Sequence, residues 1–378
     1  MCNLMNNQKI KLIIFHPYSL VGGADLSIST LINNLDYRKY SIDFICIKRS
    51  KNAEILHKNI QIYKIKSRKT IFSLFRLRKI IKKNLAKDYK KVILFSNQNF
   101  ANIISYCATI NLDQRLKKIA IERNHINELN YYFNIKDFVN KITMKILIKL
   151  IYKKFDKIIC NSNESSKDLA TFLNKEVITI HNPIIISNKN KVINKKKNKN
   201  TNNFFKILNI GRLENQKDHT TLIKAVNILK NKINFKLNIV GYGTEYKKIK
   251  KLITNLKLNK EIKIYRNIRN PWKYFKNTDL FISSSLYEGF PNVIIESILN
   301  NTPLLSSNCK SGPKEILKQK NGPNLFNVGD FHDLAKKIYK HFKNPKILVD
   351  KNKVHKKNLH RFGTKKIISK YCNLFEKI

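Results

Sequence analysis

Acidic residues are scarce in this chain: 25 Asp and Glu stand against 75 Lys and Arg in 378 residues, a formal net charge of +50. Cysteine is sparse and scattered. The six copies, Cys2, Cys46, Cys107, Cys160, Cys309 and Cys372, include no close pair. That excludes a zinc ligand set and a disulfide framework, and points to reduced thiols in a cytoplasmic protein. No apolar run reaches the roughly 18 residues that cross a bilayer. The start of the chain, 1–9, is polar and the run at 10–15 is too short for a secretion signal, so any membrane contact is expected to be peripheral. Tryptophan occurs once, as Trp272; its place beside Pro271, ahead of an apolar run, reads as packing. Neither a short-period motif repeat nor a useful heptad run occurs, which excludes solenoids and long coiled coils.

What is present fits two ordinary domains, since 42% of the residues are hydrophobic and the length allows a core in each. The excess of lysine runs through apolar and polar segments alike with Asn and Ile, as a compositional bias would. Nucleic acid, anionic lipid and phosphorylated substrates all remain open as partners on charge alone. Short continuous apolar runs at 10–15, 42–47, 92–96, 119–122 and 157–161 alternate with helical spacing, and a further run at 178–186 closes the first half. The alternation resumes at 205–210, 237–240, 262–265 and 280–282. Such a pattern predicts α/β architecture with parallel sheets covered on both faces. Between the halves, 188–203 is a Lys/Asn run that can bury nothing and reads as a linker. The domains are expected at 1–187 and 204–358, with a final helical segment at 359–378.

Two segments of the first half, 69–83 and 141–154, are basic and apolar at helical spacing. They suit an anionic membrane surface or the role of covering helices. Core is the expected place for most of their apolar residues, with the lysines left to attract lipid headgroups.

The chemistry concentrates at 283–297. An apolar strand-like run leads into Ser283-Ser-Ser-Leu-Tyr-Glu288, the chain turns at Gly289, and a helix follows whose first turn is expected to hold Pro291. Glu288 precedes the helix and Glu296 lies about one turn inside it. Backbone N–H groups near 290–294, among them those of Phe290, Asn292 and Val293, then form a seat for a phosphate, helped by the helix dipole. A carboxylate on each side suits a ligand with hydroxyls flanking a diphosphate, such as a nucleotide sugar. Glutamates near helix starts are also ordinary caps and dipole partners. Elsewhere, Gly22-Gly23 follows the first strand, Arg123-Asn-His125 follows the run at 119–122, and Gly211-Arg212 with Lys217 follows the run at 205–210. Each lies at the carboxyl edge of a strand, where doubly wound sheets place their ligands. Arg212 can fork onto phosphate oxygens and Lys217 adds a point charge.

Glu288-Gly-Phe-Pro-Asn-Val-Ile-Ile-Glu296 resembles the Glu, seven residues, Glu motif of the retaining glycosyltransferases of family 4. The flanks Asp279-Leu-Phe-Ile-Ser-Ser-Ser and Ser311-Gly-Pro-Lys-Glu-Ile match as well. The resemblance implies the GT-B fold, two doubly wound Rossmann-like domains facing across a cleft, with the last helix crossing back to the first. It implies donor contacts by Gly22, Gly23, Arg212, Lys217, Arg266, Gly289, Phe290, Asn292, Val293 and Glu296. In that reading Arg212 and Lys217 clamp the diphosphate, and the loop at Arg266 helps hold the base. Glu288 stands against the transferred sugar and Glu296 against the ribose. Arg123 or His125 sits on the acceptor or sugar side, and domain closure brings these groups together. No Asp-x-Asp motif occurs, so the expectation is catalysis without a metal and without a cofactor beyond the nucleotide sugar as co-substrate. Implied partners are a nucleoside diphosphate sugar, UDP favoured, and a glycan or lipid-linked acceptor, with peripheral contact at the inner face of an anionic membrane. Two alternatives stay open: a nucleotide-sugar epimerase of the same fold, and a non-catalytic basic binder of nucleic acid or anionic membrane. Nucleic acid is not expected as a partner, because no recognition motif for it occurs.

Overall fold

The computed structural model describes residues 8–17, 22–47, 56–67, 69–185, 204–268, 270–319 and 321–378. The expected linker at 188–203 and the loop residues 19–21 lie outside them. The first elements are β1 (Ile10–Phe15), α1 (Gly23–Asn33), β2 (Tyr40–Cys46), β3 (Gln61–Lys64), α2 (Leu74–Leu85), β4 (Lys91–Asn97) and α3 (Asn99–Thr109). They continue with β5 (Leu116–Glu122), α4 (Ile135–Ile151), β6 (Lys157–Cys160), α5 (Asn163–Leu173) and β7 (Ile178–Thr179). After residue 203 come β8 (Phe205–Ile210), α6 (His219–Leu229), β9 (Phe235–Val240), α7 (Tyr246–Asn255), β10 (Ile262–Tyr265) and β11 (Leu280–Ser283). The chain ends with α8 (Asn292–Leu299), β12 (Leu304–Ser307), α9 (Pro313–Leu317), β13 (Leu325–Phe326), α10 (Phe331–Lys343), α11 (Lys346–Lys357) and α12 (Thr364–Lys377).

Residues through Ile185 form one unit together with Phe362–Ile378, and the residues between them, to Arg361, form a second. The sheet of the first has the order β3-β2-β1-β4-β5-β6-β7, and that of the second β10-β9-β8-β11-β12-β13. Neighbouring strands are parallel; Leu12 of β1, for example, lies between Ile42 of β2 and Ile93 of β4. Strand order reverses between β1 and β4 in one sheet and between β8 and β11 in the other. At such a reversal the loops diverge and leave a crevice at the carboxyl ends of the strands.

Both faces of each sheet are covered, which is why the strands read as unbroken apolar runs. Leu12 and Ile14 pack under α1 and α12, whereas Ile13 and Phe15 pack under α2 and α3. Lys11, the one polar residue of β1, is buried against Asp43 at 2.5 Å. In α12, Ile367, Tyr371 and Phe375 complete the first unit's core. The Phe375 ring stands edge-on to Tyr40 and to Phe95, with centroids 6.0 and 5.7 Å away. The re-entry is anchored by the Thr364 N–H donating to the Ile184 carbonyl at 3.1 Å.

Several expectations need correction. Of the run expected at 178–186, the described part, 178–185, is a strand only at Ile178–Thr179; Pro183 has no N–H to continue a ladder. The strands β3, β12 and β13 carried no distinct signal: β3 is a mixed edge strand, half of β12 is serine, and β13 has two residues. Pro291 does not lie inside the helix but caps it, with φ −73° and an extended ψ of 95°. Its carbonyl accepts from the Ile294 N–H at 3.1 Å, so that N–H is not open to a ligand. The basic apolar segments are also less buried than expected. Phe75 of α2 is 80% exposed, and in α4 only Ile148 is buried.

Candidate active site

In the second unit the two loops at the strand-order reversal are joined by side chains. The loop after β8 carries Arg212, Gln216 and Lys217; the loop after β11 carries Ser284 to Glu288. Lys217 Nζ donates to Glu288 Oε1 at 2.5 Å, and the Ser285 hydroxyl donates to the same oxygen at 2.7 Å. Glu288 is buried. The Ser284 hydroxyl donates to the Lys217 carbonyl, Gln216 Nε2 to the Tyr287 carbonyl, and the Leu286 N–H to the Gln216 carbonyl. Arg212 Nη2 donates to Gln216 Oε1 at 2.8 Å, which ties the guanidinium to the same loop. The arrangement is two cations and a carboxylate fixed on one crevice rim, with backbone bonds setting their spacing.

Neighbouring segments hold that rim in place. A side chain at Gly241 would put its Cβ 1.8 Å from the Gly211 carbonyl oxygen, so the turn after β9 packs backbone to backbone on the Arg212 loop. The Ser311 hydroxyl donates to the Gly289 carbonyl and the Ser307 hydroxyl to that of Ser285. Burial, with the Glu288 charge adding to it, pushes the Cys309 thiol up to about 12, so it stays protonated beside the pair. Phe290 is buried at the entry to α8, and Asn292 and Val293, partly buried, begin the helix.

Glu296, one turn into α8, retains some solvent exposure. Burial of its carboxyl raises the pKa to about 7, opposed by a hydrogen bond with the Trp272 side chain. Trp272 is therefore not simply packing: it is 39% exposed and joined to the second glutamate of the motif. Arg266 is exposed, with its guanidinium carbon 4.3 Å from the Tyr246 ring centroid.

In the first unit, Gly22 caps α1 with φ 150°, a value open to glycine, and Gly23 starts the helix. Below that turn lies a buried polar chain. Arg123 Nε donates to Asn97 Oδ1 at 2.7 Å, which leaves the Asn97 amide to donate to His16 Nδ1 at 2.7 Å. His16 therefore carries its proton on Nε2, facing Asp25 Oδ1 at 2.5 Å. Arg123 Nη1 donates further to Ser27 and Asn182. The chain links the ends of β1, β4 and β5 to the first turn of α1, at the reversal of strand order. Its members His16, Asp25, Asn97 and Asn182 were not singled out from the sequence; the signal available was that His16 follows β1 and Asn97 ends β4, the two strands at the reversal.

Arg123 and His125 do not stand open at the strand edge; both are buried. Burial also lowers the Arg123 pKa. His125 Nδ1 accepts from the Asn127 N–H at 3.0 Å, capping the following helical turn, and its Nε2 lies 3.0 Å from Asp168. His125 is thus an internal cap.

The chain has relatives among known proteins. Residues 190–360 match the family model of glycosyl transferases group 1, and residues 21–188 that of glycosyltransferase family 4. The chain belongs to the glycosyltransferases of this family and has the GT-B fold. It is 29% identical over 280 residues to an uncharacterized glycosyltransferase of Methanocaldococcus jannaschii, covering 70% of this chain and 68% of that one. It is 26% identical over 320 residues to the N-acetylgalactosamine-N,N'-diacetylbacillosaminyl-diphospho-undecaprenol 4-alpha-N-acetylgalactosaminyltransferase of Campylobacter jejuni, covering 82% and 83%. In fold it is similar to Anabaena HepE, solved with UDP and glucose, with TM-score 0.75 and 16% identity over 97% of this chain and 100% of that one.

Proposed function

We propose that the protein transfers a hexose or N-acetylhexosamine from a nucleoside diphosphate sugar, UDP favoured, to a hydroxyl of a glycan or lipid-linked acceptor, with retention and without a metal ion. The observation that carries this reading is the contact between Lys217 and Glu288 across the two loops at the strand-order reversal. In the reaction the bond from the anomeric carbon to the diphosphate oxygen breaks while the acceptor oxygen bonds that carbon on the same face. The acceptor proton passes to the released diphosphate. The sugar carbon becomes oxocarbenium-like as the leaving group gains charge. Lys217 and Arg212 are the fixed cations for that charge, with the start of α8 assisting. Glu288, held by Lys217 and Ser285, faces the transferred sugar, and Glu296 takes the ribose hydroxyls. Arg123 acts from beneath, by positioning Asn97 and the start of α1.

The UDP-bound fold relative supports the choice of nucleotide, and the Campylobacter relative, named for a diphospho-undecaprenol substrate, supports a lipid-linked acceptor. Polysaccharide or glycolipid assembly at the cytoplasmic face of an anionic membrane is the setting proposed. Among the described residues no helix is long and apolar enough to cross a membrane, so the proposed contact is peripheral.

Purified protein melted with UDP, GDP, ADP and a panel of their sugars tests the donor site. One nucleotide series is expected to raise the melting temperature, and Glu296→Ala to weaken that shift; no shift with any nucleotide refutes the reading. Glu288→Ala is expected to stay folded and lose transfer by roughly a hundredfold or more. Near-full turnover in that variant removes Glu288 from the mechanism.

A further inference from the structure

The helices α2, α3 and α4 each join one parallel strand to the next, so they run against the strands and start at the carboxyl edge of the first unit's sheet. α3 packs between the other two. Large apolar side chains stand exposed on both sides of its start. Phe72 precedes α2 and Phe75 lies in its first turn, while Phe133 precedes α4 and Ile135, Phe138 and Val139 lie in its first two turns; Phe75 is 80% and Ile135 84% exposed. Two helix spacings separate the groups, about 20 Å. Single exposed apolar residues are ordinary, but two such groups at the same end of one helical layer mark a surface that something covers.

Charge identifies the occupant. Positions 69–83 hold six basic residues and no acidic one, and positions 133–154 hold six basic residues and one acidic, Asp137, which Lys141 pairs at 3.0 Å. The lysines lie among the apolar groups: Lys141 Nζ is 5.2 Å from the Phe133 ring centroid, and Lys145 Nζ 5.9 Å from that of Tyr132. A second copy of the chain would bring like charge against like charge across such a face. A bilayer containing anionic lipid offers an apolar interior for the side chains and negative headgroups at the level of the ammonium groups.

We propose that this face, formed by the starts of α2 and α4, is the membrane-docking surface of the protein, inserting Phe72, Phe75, Ile135 and Phe138 between anionic lipids. It deepens the proposed reading and rests on it for the working place at a membrane; the surface itself is drawn from exposure and charge. Docking here sets the carboxyl edge of the first unit's sheet near the lipid surface, the level at which a lipid-linked acceptor presents its headgroup.

The test uses the full-length protein and cosedimentation with vesicles of phosphatidylcholine alone or mixed equally with phosphatidylglycerol. Wild type is expected to partition onto the mixed vesicles and weakly or not at all onto phosphatidylcholine. The double variants Phe72→Ser/Phe75→Ser and Ile135→Ser/Phe138→Ser are each expected to lose at least tenfold in partitioning, with circular dichroism and melting temperature unchanged because the residues are exposed. Salt at 0.5 M is expected to weaken binding only in part, since insertion of apolar groups is not screened. Wild type that ignores the mixed vesicles overturns the surface, as do apolar variants that bind like wild type. A dimer in light scattering that the same substitutions dissociate also overturns it, in favour of a second copy. The UDP melting shift separates the two readings. It is expected to persist in both variants; if wild type binds vesicles but shows no shift with UDP, the surface stands and the UDP donor reading falls.

Discussion

Glu296 combines two properties at the scale of a single residue: a carboxyl whose burial raises its pKa to about 7 and a hydrogen bond with the chain's one tryptophan. Its folded value exceeds the ordinary 4.5, so between about pH 4.5 and 7 the folded state holds a proton that the unfolded chain has released. The stability linked to this group is present below that window and declines as pH rises through it. Glu122, also raised to about 7 by burial although Tyr152 donates to it, acts in the same direction. Glu296→Gln is therefore expected to be more stable than wild type at pH 8, by no more than about 3 kcal/mol, and equally stable near pH 4.5, as urea midpoints at the two pH values would show. Function runs the other way. The carboxylate is the better acceptor for ribose hydroxyls, so nucleotide affinity should fall as pH drops from 8 to 6. Trp272→Phe removes an interaction that lowers the Glu296 pKa, so the same decline should set in at higher pH. Titrations of UDP binding at several pH values check both, and in wild type the fluorescence of Trp272 reports the pair directly.

The loop that carries Arg212 and Lys217 is shaped by a neighbouring element, the turn after β9. Gly241 meets the Gly211 carbonyl oxygen with no space for a Cβ, and the Leu213 N–H donates to the Tyr242 carbonyl at 2.8 Å. Gly241→Ala must part the two turns. A cost of about 1–3 kcal/mol is expected from the overpacking. Because the displaced backbone carries the clamp, UDP affinity should fall even though residue 241 is not placed on the donor. A urea midpoint and a UDP titration on the same protein test this; lost stability with unchanged affinity would separate the turn from the clamp. The starts of α2 and α4 are shaped by what they leave uncovered, since α3 and the sheet take only Leu77, Ile81 and Ile148 with their nearest neighbours.

On the scale of the whole molecule, the chain returns to its first unit at the end, and α12 supplies Ile367, Tyr371 and Phe375 to that core. Phe375→Ala is expected to cost about 3–5 kcal/mol, lowering the melting temperature while the increment produced by saturating UDP stays near its wild-type value. A lost increment would couple the first unit's core to the nucleotide site. The α/β architecture was legible in the sequence because strands buried on both faces must be apolar at every position, a pattern that needs no partner to be read. The loop from Glu288 to Glu296 was legible for a similar reason: strand, turn and helix are local, and so is the spacing of two carboxylates along them. Burial of the basic helices was not, since the same spacing of Phe75 or Ile135 serves a core or a bilayer, and only the neighbours in space decide between them. Nor were the chain Asp25, His16, Asn97 and Arg123 or the pairing of Trp272 with Glu296, whose members lie far apart in the sequence. Sequence by itself determined which segments could form elements and where a phosphate seat could lie; tertiary structure decided which polar groups meet, because hydrogen bonds and ion pairs form over a few ångströms between residues that only the packing of the sheets brings together.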